Sequence, residues 1–256
     1  MTRLSLIALL FVTVFFAGPA FCAMMPWLDA IDIGGTEVQS YYSSERTALD
    51  FSLGGPTLKS INCERYSFTT KYSFRPAIGF SAYAKIGVAG SSLVSTSGYD
   101  QKWSGHDGGI VSGAGINYVL GRDAKYLYNT VIDAGVNYLG SRLNLFYTGE
   151  TLAGSTNQSL NLWELYGGLL FTRIFTLSDK VSFSPYAGAC LSFYRGYWKD
   201  LDNSLSFTEY LCEKTAVMPL LGFVFSVKNA GFRMEFDLTG TAGISAGFCY
   251  GFIDNR

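Results

Sequence analysis

Apolar and polar side chains alternate one for one through residues 231–240, where Phe232, Met234, Phe236 and Leu238 interleave with Arg233, Glu235 and Asp237. A period of two puts the two sets on opposite faces of an extended strand, one wholly apolar and the other ionic. The same pattern sets Tyr66, Phe68, Tyr72 and Phe74 against Ser67, Thr69, Lys71 and Ser73, and Phe80, Ala82, Ala84, Ile86 and Val88 against Ser81, Tyr83, Lys85 and Gly87. It continues through 110–120 and through 126–138, the latter with Asn129, Asp133 and Asn137 on its polar side. Further segments are marked by Trp163, Leu165, Leu169 and Phe171, by alternate residues of 183–193, and by Val217, Leu221, Phe223, Phe225 and Val227. In GISAGFCYGF, residues 243–252, small or polar residues alternate with Ile, Ala, Phe, Tyr and Phe. With a less regular first strand over 33–42, the pattern predicts about ten strands.

A one-sided apolar strand needs either a second sheet or hydrocarbon against it. The connections favour hydrocarbon. Residues 75–76, 121–124, 177–180 and 228–230 read as tight turns rich in Gly, Pro, Asp and Asn. Residues 43–62, 91–105, 140–158 and 196–212 read as long polar loops, which carry Tyr99, Trp103, Phe146, Tyr147, Tyr197 and Trp198. Short turns on one rim and long loops on the other are the asymmetry of an outer-membrane barrel, and a tilted strand of about 9–11 residues crosses the bilayer. No apolar run beyond the N-terminal segment approaches the roughly 20 residues of a spanning helix, and a closed barrel is the strand structure that satisfies every backbone group in lipid. The predicted fold is therefore all-β: a closed antiparallel up-and-down transmembrane β-barrel of about ten strands, within a range of about 8 to 12. A soluble sandwich or barrel is the alternative.

Composition agrees with this reading. Charged residues make up 15% of the 256, aromatic residues 16%, with 17 Tyr, 20 Phe and 29 Gly, a balance that favours strands and aromatic girdles over helices. The net charge of -1 gives no electrostatic basis for a nucleic-acid partner.

At the N-terminus, Arg3, the apolar run LIALLFVTVFFAG and small residues at Gly18, Ala20 and Cys22 have the arrangement of a secretory signal peptide. Cleavage after residue 20 or 22 would leave one barrel domain over 23–256. At the other end, Ser245, Gly247, Tyr250 and Phe252 follow a polar-x-Gly-x-x-aromatic-x-aromatic spacing. This resembles the terminal assembly signal of bacterial outer-membrane β-barrel proteins, and the mature chain resembles their small families of eight to ten strands. The resemblance implies residence in the bacterial outer membrane, contact with its lipid, and recognition of the last strand by the barrel assembly machinery. Residues 253–256 depart from it, since such chains commonly end on the aromatic itself.

In a barrel, Lys71, Lys85, Asp133, Glu164, Arg233, Glu235 and Asp237 point into the lumen. Ionised groups of both signs in a narrow interior must pair, so they are expected to form an ionic network that fills the barrel. A conducting, porin-like pore is the rival. His106, beside Asp107 in the Gly-rich stretch 104–109, is the single histidine and has no nucleophile motif with it. A noncatalytic role in envelope structure, binding of an extracellular ligand through the loops, or modest passive transport is expected, with an outer-membrane protease or lipid hydrolase using His106 as the alternative. Cysteines at 22, 63, 190, 212 and 249 lack metal-site spacing, and Gly113-Ala114-Gly115 has Tyr118 where a dinucleotide turn needs glycine. No cofactor is expected. Cys63 and Cys212 could form a disulfide near the outer rim; Cys190 and Cys249 are expected to face the lumen.

Overall fold

The computed structural model describes residues 35–51, 60–95, 101–123, 128–201, 208–212, 216–238 and 243–252. The expected signal peptide lies outside them. The described chain is β throughout: β1 (Thr36–Phe51), β2 (Ser60–Ala77), β3 (Phe80–Ser95), β4 (Gln101–Asp123), β5 (Tyr128–Thr148), β6 (Thr151–Arg173), β7 (Phe175–Ser178), β8 (Val181–Asp200), β9 (Thr208–Cys212), β10 (Ala216–Val227), β11 (Ala230–Asp237) and β12 (Gly243–Phe252). All pairings are antiparallel. Ten strands close a ring in the order β1, β2, β3, β4, β5, β6, β8, β10, β11, β12 and back to β1. A closed ring has no free sheet edge for another chain to pair with. The first strand begins at Thr36 and runs to Phe51, nine residues past its predicted end at Tyr42.

The two small strands reshape this ring. β7 lies against the start of β8, pairing Phe175 with Phe183. β9 does more, because it pairs on one side with β8 (Arg195 with Cys212) and on the other with β1 (Asp50 with Cys212, Phe51 with Leu211). β11 and β12 end below this level, where Ile244 meets Ser44. The wall therefore has ten strands at the end where β1 begins and β12 finishes and eight above, where β9 stands directly between β8 and β1.

The expected long loops are mostly wall. Residues 43–51 and 60–62 extend β1 and β2, 91–95 and 101–105 extend β3 and β4, and 196–200 completes β8. In the stretch 140–158 only the turn Gly149-Glu150 lies outside the strands, with Gly149 at a φ of 61° that favours glycine. These segments read as loops in the sequence because their outward residues are mostly Ser, Asn, Gly and charged side chains. That composition reflects an aqueous exterior and leaves the strand geometry intact.

Candidate functional site

The outside of the barrel carries a belt of apolar side chains. It runs from Tyr66 to Phe74 on β2, Phe80 to Val88 on β3, Ile110 to Tyr118 on β4, Trp163 to Phe171 on β6, Val217 to Phe225 on β10 and Ile244 to Phe252 on β12. Each run spans roughly nine residues, which at ordinary strand tilt matches the apolar band of about 25 Å seen on spanning barrels. Phe68 is 53% and Leu165 60% exposed. Aromatic residues mark both borders of the belt: Tyr138 and Trp163 pack with ring centroids 4.8 Å apart at the upper one, while Tyr250 and Phe252 meet at 5.0 Å on the lower. Tyr138 also donates to Asn161 Oδ1 at 2.6 Å, an apolar ring with a polar tip as suits a lipid–water border.

Inside the belt the lumen is polar and full. Arg65, Lys71, Lys85 and Arg233 are buried there with Glu37, Asp133, Glu164, Glu235 and Asp237. Lys71 and Lys85 are opposite each other across β2 and β3, a like-charge pairing that needs compensation. Tyrosines supply part of it. The Lys71 ammonium sits 3.7 Å from the centroid of the Tyr83 ring, and the Tyr83 hydroxyl donates to Asp133 Oδ1 at 2.7 Å. Tyr83 also shares a hydrogen bond with the Tyr166 hydroxyl, and Lys85 stands 5.2 Å from the Tyr166 ring centroid. Room for Tyr83 comes from Gly115, its register partner on the neighbouring β4, where a Cβ would fall on the tyrosine hydroxyl.

Two further groupings complete the layer. Arg233 Nη2 lies 3.6 Å from Glu37 Oε1, which also accepts a hydrogen bond from the Gln39 amide, and Tyr186 donates to Glu235 Oε2 at 2.9 Å. Glu164 accepts from Asn137 at 2.5 Å and from Ser192 and Tyr194 at 2.8 Å each. The Arg65 guanidinium stacks 4.5 Å from the centroid of the Tyr194 ring and donates to Thr47 Oγ1 at 3.0 Å.

Above the ionic layer the interior turns apolar. Leu49, Ile61, Leu93, Leu143, Leu160 and Leu211 pack with Trp103 and Trp198 inside the eight-stranded section. Trp103 meets Trp198 edge-on at 4.9 Å, and Trp198 donates to Gln158 Oε1 at 2.9 Å. An eight-stranded barrel has an interior just wide enough for side chains to fill, so the narrowing and the plug are one feature. A second apolar wedge, built from Val131, Leu170, Leu220 and Val224 with Tyr166 and Tyr186, occupies the β5–β10 side lower down.

The seven sequence-predicted lumen residues thus all stand inside the barrel wall. Sequence reasoning missed Glu37, Arg65 and the tyrosines that stand between the charges. Glu37 falls in the least regular predicted strand, but Tyr83 alternates in phase with Lys85 and could have been found from that. Of the terminal-strand residues, Ser245 and Gly247 face inward, while Tyr250 and Phe252 point out at the lower border. The expected loop aromatics are corrected: Trp103 and Trp198 are buried in the plug because their β4 and β8 phases turn them inward, and Tyr99 lies outside the described residues. Residues 106 and 107 lie within β4, and their side chains lie outside the described part. Cys63 is buried in the plug, the Cys212 side chain is outside the described part, and Cys190 faces the lumen.

A closed ring with an apolar exterior belt and charges gathered about its axis defines the class: the fold is that of a bilayer-spanning β-barrel. No protein-family model and no curated protein matches the sequence. Among solved structures, it is similar to the translocator domain of the autotransporter NalP from Neisseria meningitidis, at 12% identity and a TM-score of 0.48 over 88% of this chain and 90% of that one. It is also similar to the outer membrane protein OprG from Pseudomonas aeruginosa, at 13% identity and a TM-score of 0.42 over 88% and 98%.

Proposed function

We propose that this protein is a sealed, noncatalytic barrel that serves the envelope as a structural element and presents its projecting eight-stranded section as a binding surface. One observation carries the reading. The lumen of the upper section is filled by Leu49, Ile61, Leu93, Leu143, Leu160, Trp103 and Trp198, with the buried ionic layer below it. Water and ions crossing the barrel would have to displace an apolar core packed like a protein interior, which a resting pore does not ask of its solutes.

Reconstitution into planar bilayers tests the sealed state: the reading expects no steady conductance, and a stable nanosiemens-scale opening would overturn it in favour of a diffusion pore. The noncatalytic part has its own check. A peptide or lipid hydrolysis activity that disappears in His106→Ala would overturn it.

A further inference from the structure

The ladder between β3 and β4 breaks at one place in the outer wall. Ala89 faces Gly109 and Ser91 faces Gly105, so residues 106–108 of β4 stand against Gly90 alone. Beside this break is a cavity of about 500 Å³, lined by Tyr42, Tyr66, Phe68, Val88, Gly90 and Lys102 among others. Tyr42, Tyr66, Phe68 and Val88 belong to the lipid-facing surface, and the missing side chain of Gly90 leaves a groove between them and the bulge.

Polar groups cap the groove. Arg46, Glu64, Ser92 and Ser104 are register partners across β1 to β4, just above the aromatic border. Glu64 is shared: Arg46 Nε lies 3.8 Å from one of its oxygens, Lys102 Nζ lies 3.7 Å from the other, and Ser92 donates to it at 3.2 Å. Among the described residues, two cations on one carboxylate leave this cap with an excess of positive charge.

We propose that this groove holds one lipid of net negative headgroup charge from the leaflet at the upper rim, its chain along Tyr66, Phe68 and Val88 and its phosphate at Arg46 and Lys102. Apolar walls that open to hydrocarbon fit an acyl chain, and a cap of unmatched cations fits an anion at headgroup depth. A neutral lipid would fill the walls and leave the cap unmatched.

Native mass spectrometry of the folded protein in detergent tests this with dioleoyl phosphatidylglycerol and dioleoyl phosphatidylcholine, which share their acyl chains and differ in headgroup, the first with a net negative charge and the second with none. One phosphatidylglycerol adduct is expected, and phosphatidylcholine binds about tenfold less. Gly90→Phe is chosen to fill the groove; a Cβ at this position meets nothing closer than Gly105 O at 3.7 Å, so the backbone accepts a side chain there. Arg46→Met with Lys102→Met removes the cap. Each variant is expected to lose about tenfold in the adduct while keeping the parent's heat-modifiable migration in gels. Equal binding of the two lipids, or parental binding by either variant, overturns the site. A parent that fails to migrate compactly before heating overturns the bilayer-spanning reading on which the site rests, so the two failures are told apart.

Discussion

At Arg233 the physics of the lumen reduces to one side chain. Its guanidinium is 2% exposed, 3.6 Å from the Glu37 carboxylate, inside a wall surrounded by hydrocarbon. Removing one partner leaves the other ion buried without it, which is the costly way to break such a pair. Arg233→Met is expected to lower stability by about 3–5 kcal/mol, and Glu37→Gln with Arg233→Met by less than the single change. Denaturant unfolding of the purified barrel in micelles measures both; a double variant worse than Arg233→Met would contradict the pairing. On the outer face the rule inverts. Leu221, in the middle of the belt on β10, is 45% exposed. On a water-facing surface Leu221→Arg would be nearly neutral, whereas facing lipid it is expected to cost about 2–4 kcal/mol by the same measurement.

Along single strands that inversion can be followed residue by residue. On β6 the inward face reads Gln158, Leu160, Leu162, Glu164 and Tyr166, and the outward face Ser159, Asn161, Trp163 and Leu165. Around Trp163 the faces exchange: toward Leu165 the outside is apolar and Glu164 stands inside, while toward Ser159 the outside is polar and Leu160 and Leu162 stand inside. β2 does the same, with Ile61 and Cys63 inside opposite Asn62 and Glu64, then Arg65 and Ser67 inside opposite Tyr66 and Phe68. This exchange marks where the wall leaves the bilayer, and it explains what the sequence did and did not reveal. The spanning halves of the strands were legible because a greasy face alternating with Lys, Arg, Asp and Glu leaves no ambiguity. The upper halves keep the period, but Leu160 and Trp198 among Ser, Asn and Gly resemble loop residues until the ring closes around them. Trp103→Ala, which empties the centre of the plug, is expected to cost about 3–5 kcal/mol in the same unfolding measurement. The terminal strand gives another prediction at this scale. Tyr250 and Phe252 pair with Val38 and Thr36 at the closing seam. Changing both to Ala is expected to cut the folded yield in cells several-fold while leaving the unfolding midpoint of refolded protein close to the parent's; an unchanged yield would remove the assembly role.

Taken whole, the molecule is a tapered barrel: ten strands wide within the bilayer, eight strands wide above it, with ions at mid-height and a hydrocarbon-like plug in the narrow end. The taper comes from unequal strand lengths, since β11 and β12 are 8 and 10 residues while β4 and β6 are 23. The sequence announced the ring and its lumen charges but not the taper, because β9 covers five residues and its pairing with β1 joins positions far apart in the chain. The central claim is that lipid surrounds the belt while the opposite face is packed and dry. Nitroxide labels placed singly at Phe68, Tyr72, Ile86 and Val88, and at Ser67, Ser73 and Ser81, in the barrel reconstituted into liposomes, test it most directly through collision with oxygen and with a water-soluble nickel complex. The first set is expected to be open to oxygen and closed to nickel, and the second closed to both. Ready collision of the first set with nickel, or loss of the alternation between the sets, would contradict the account.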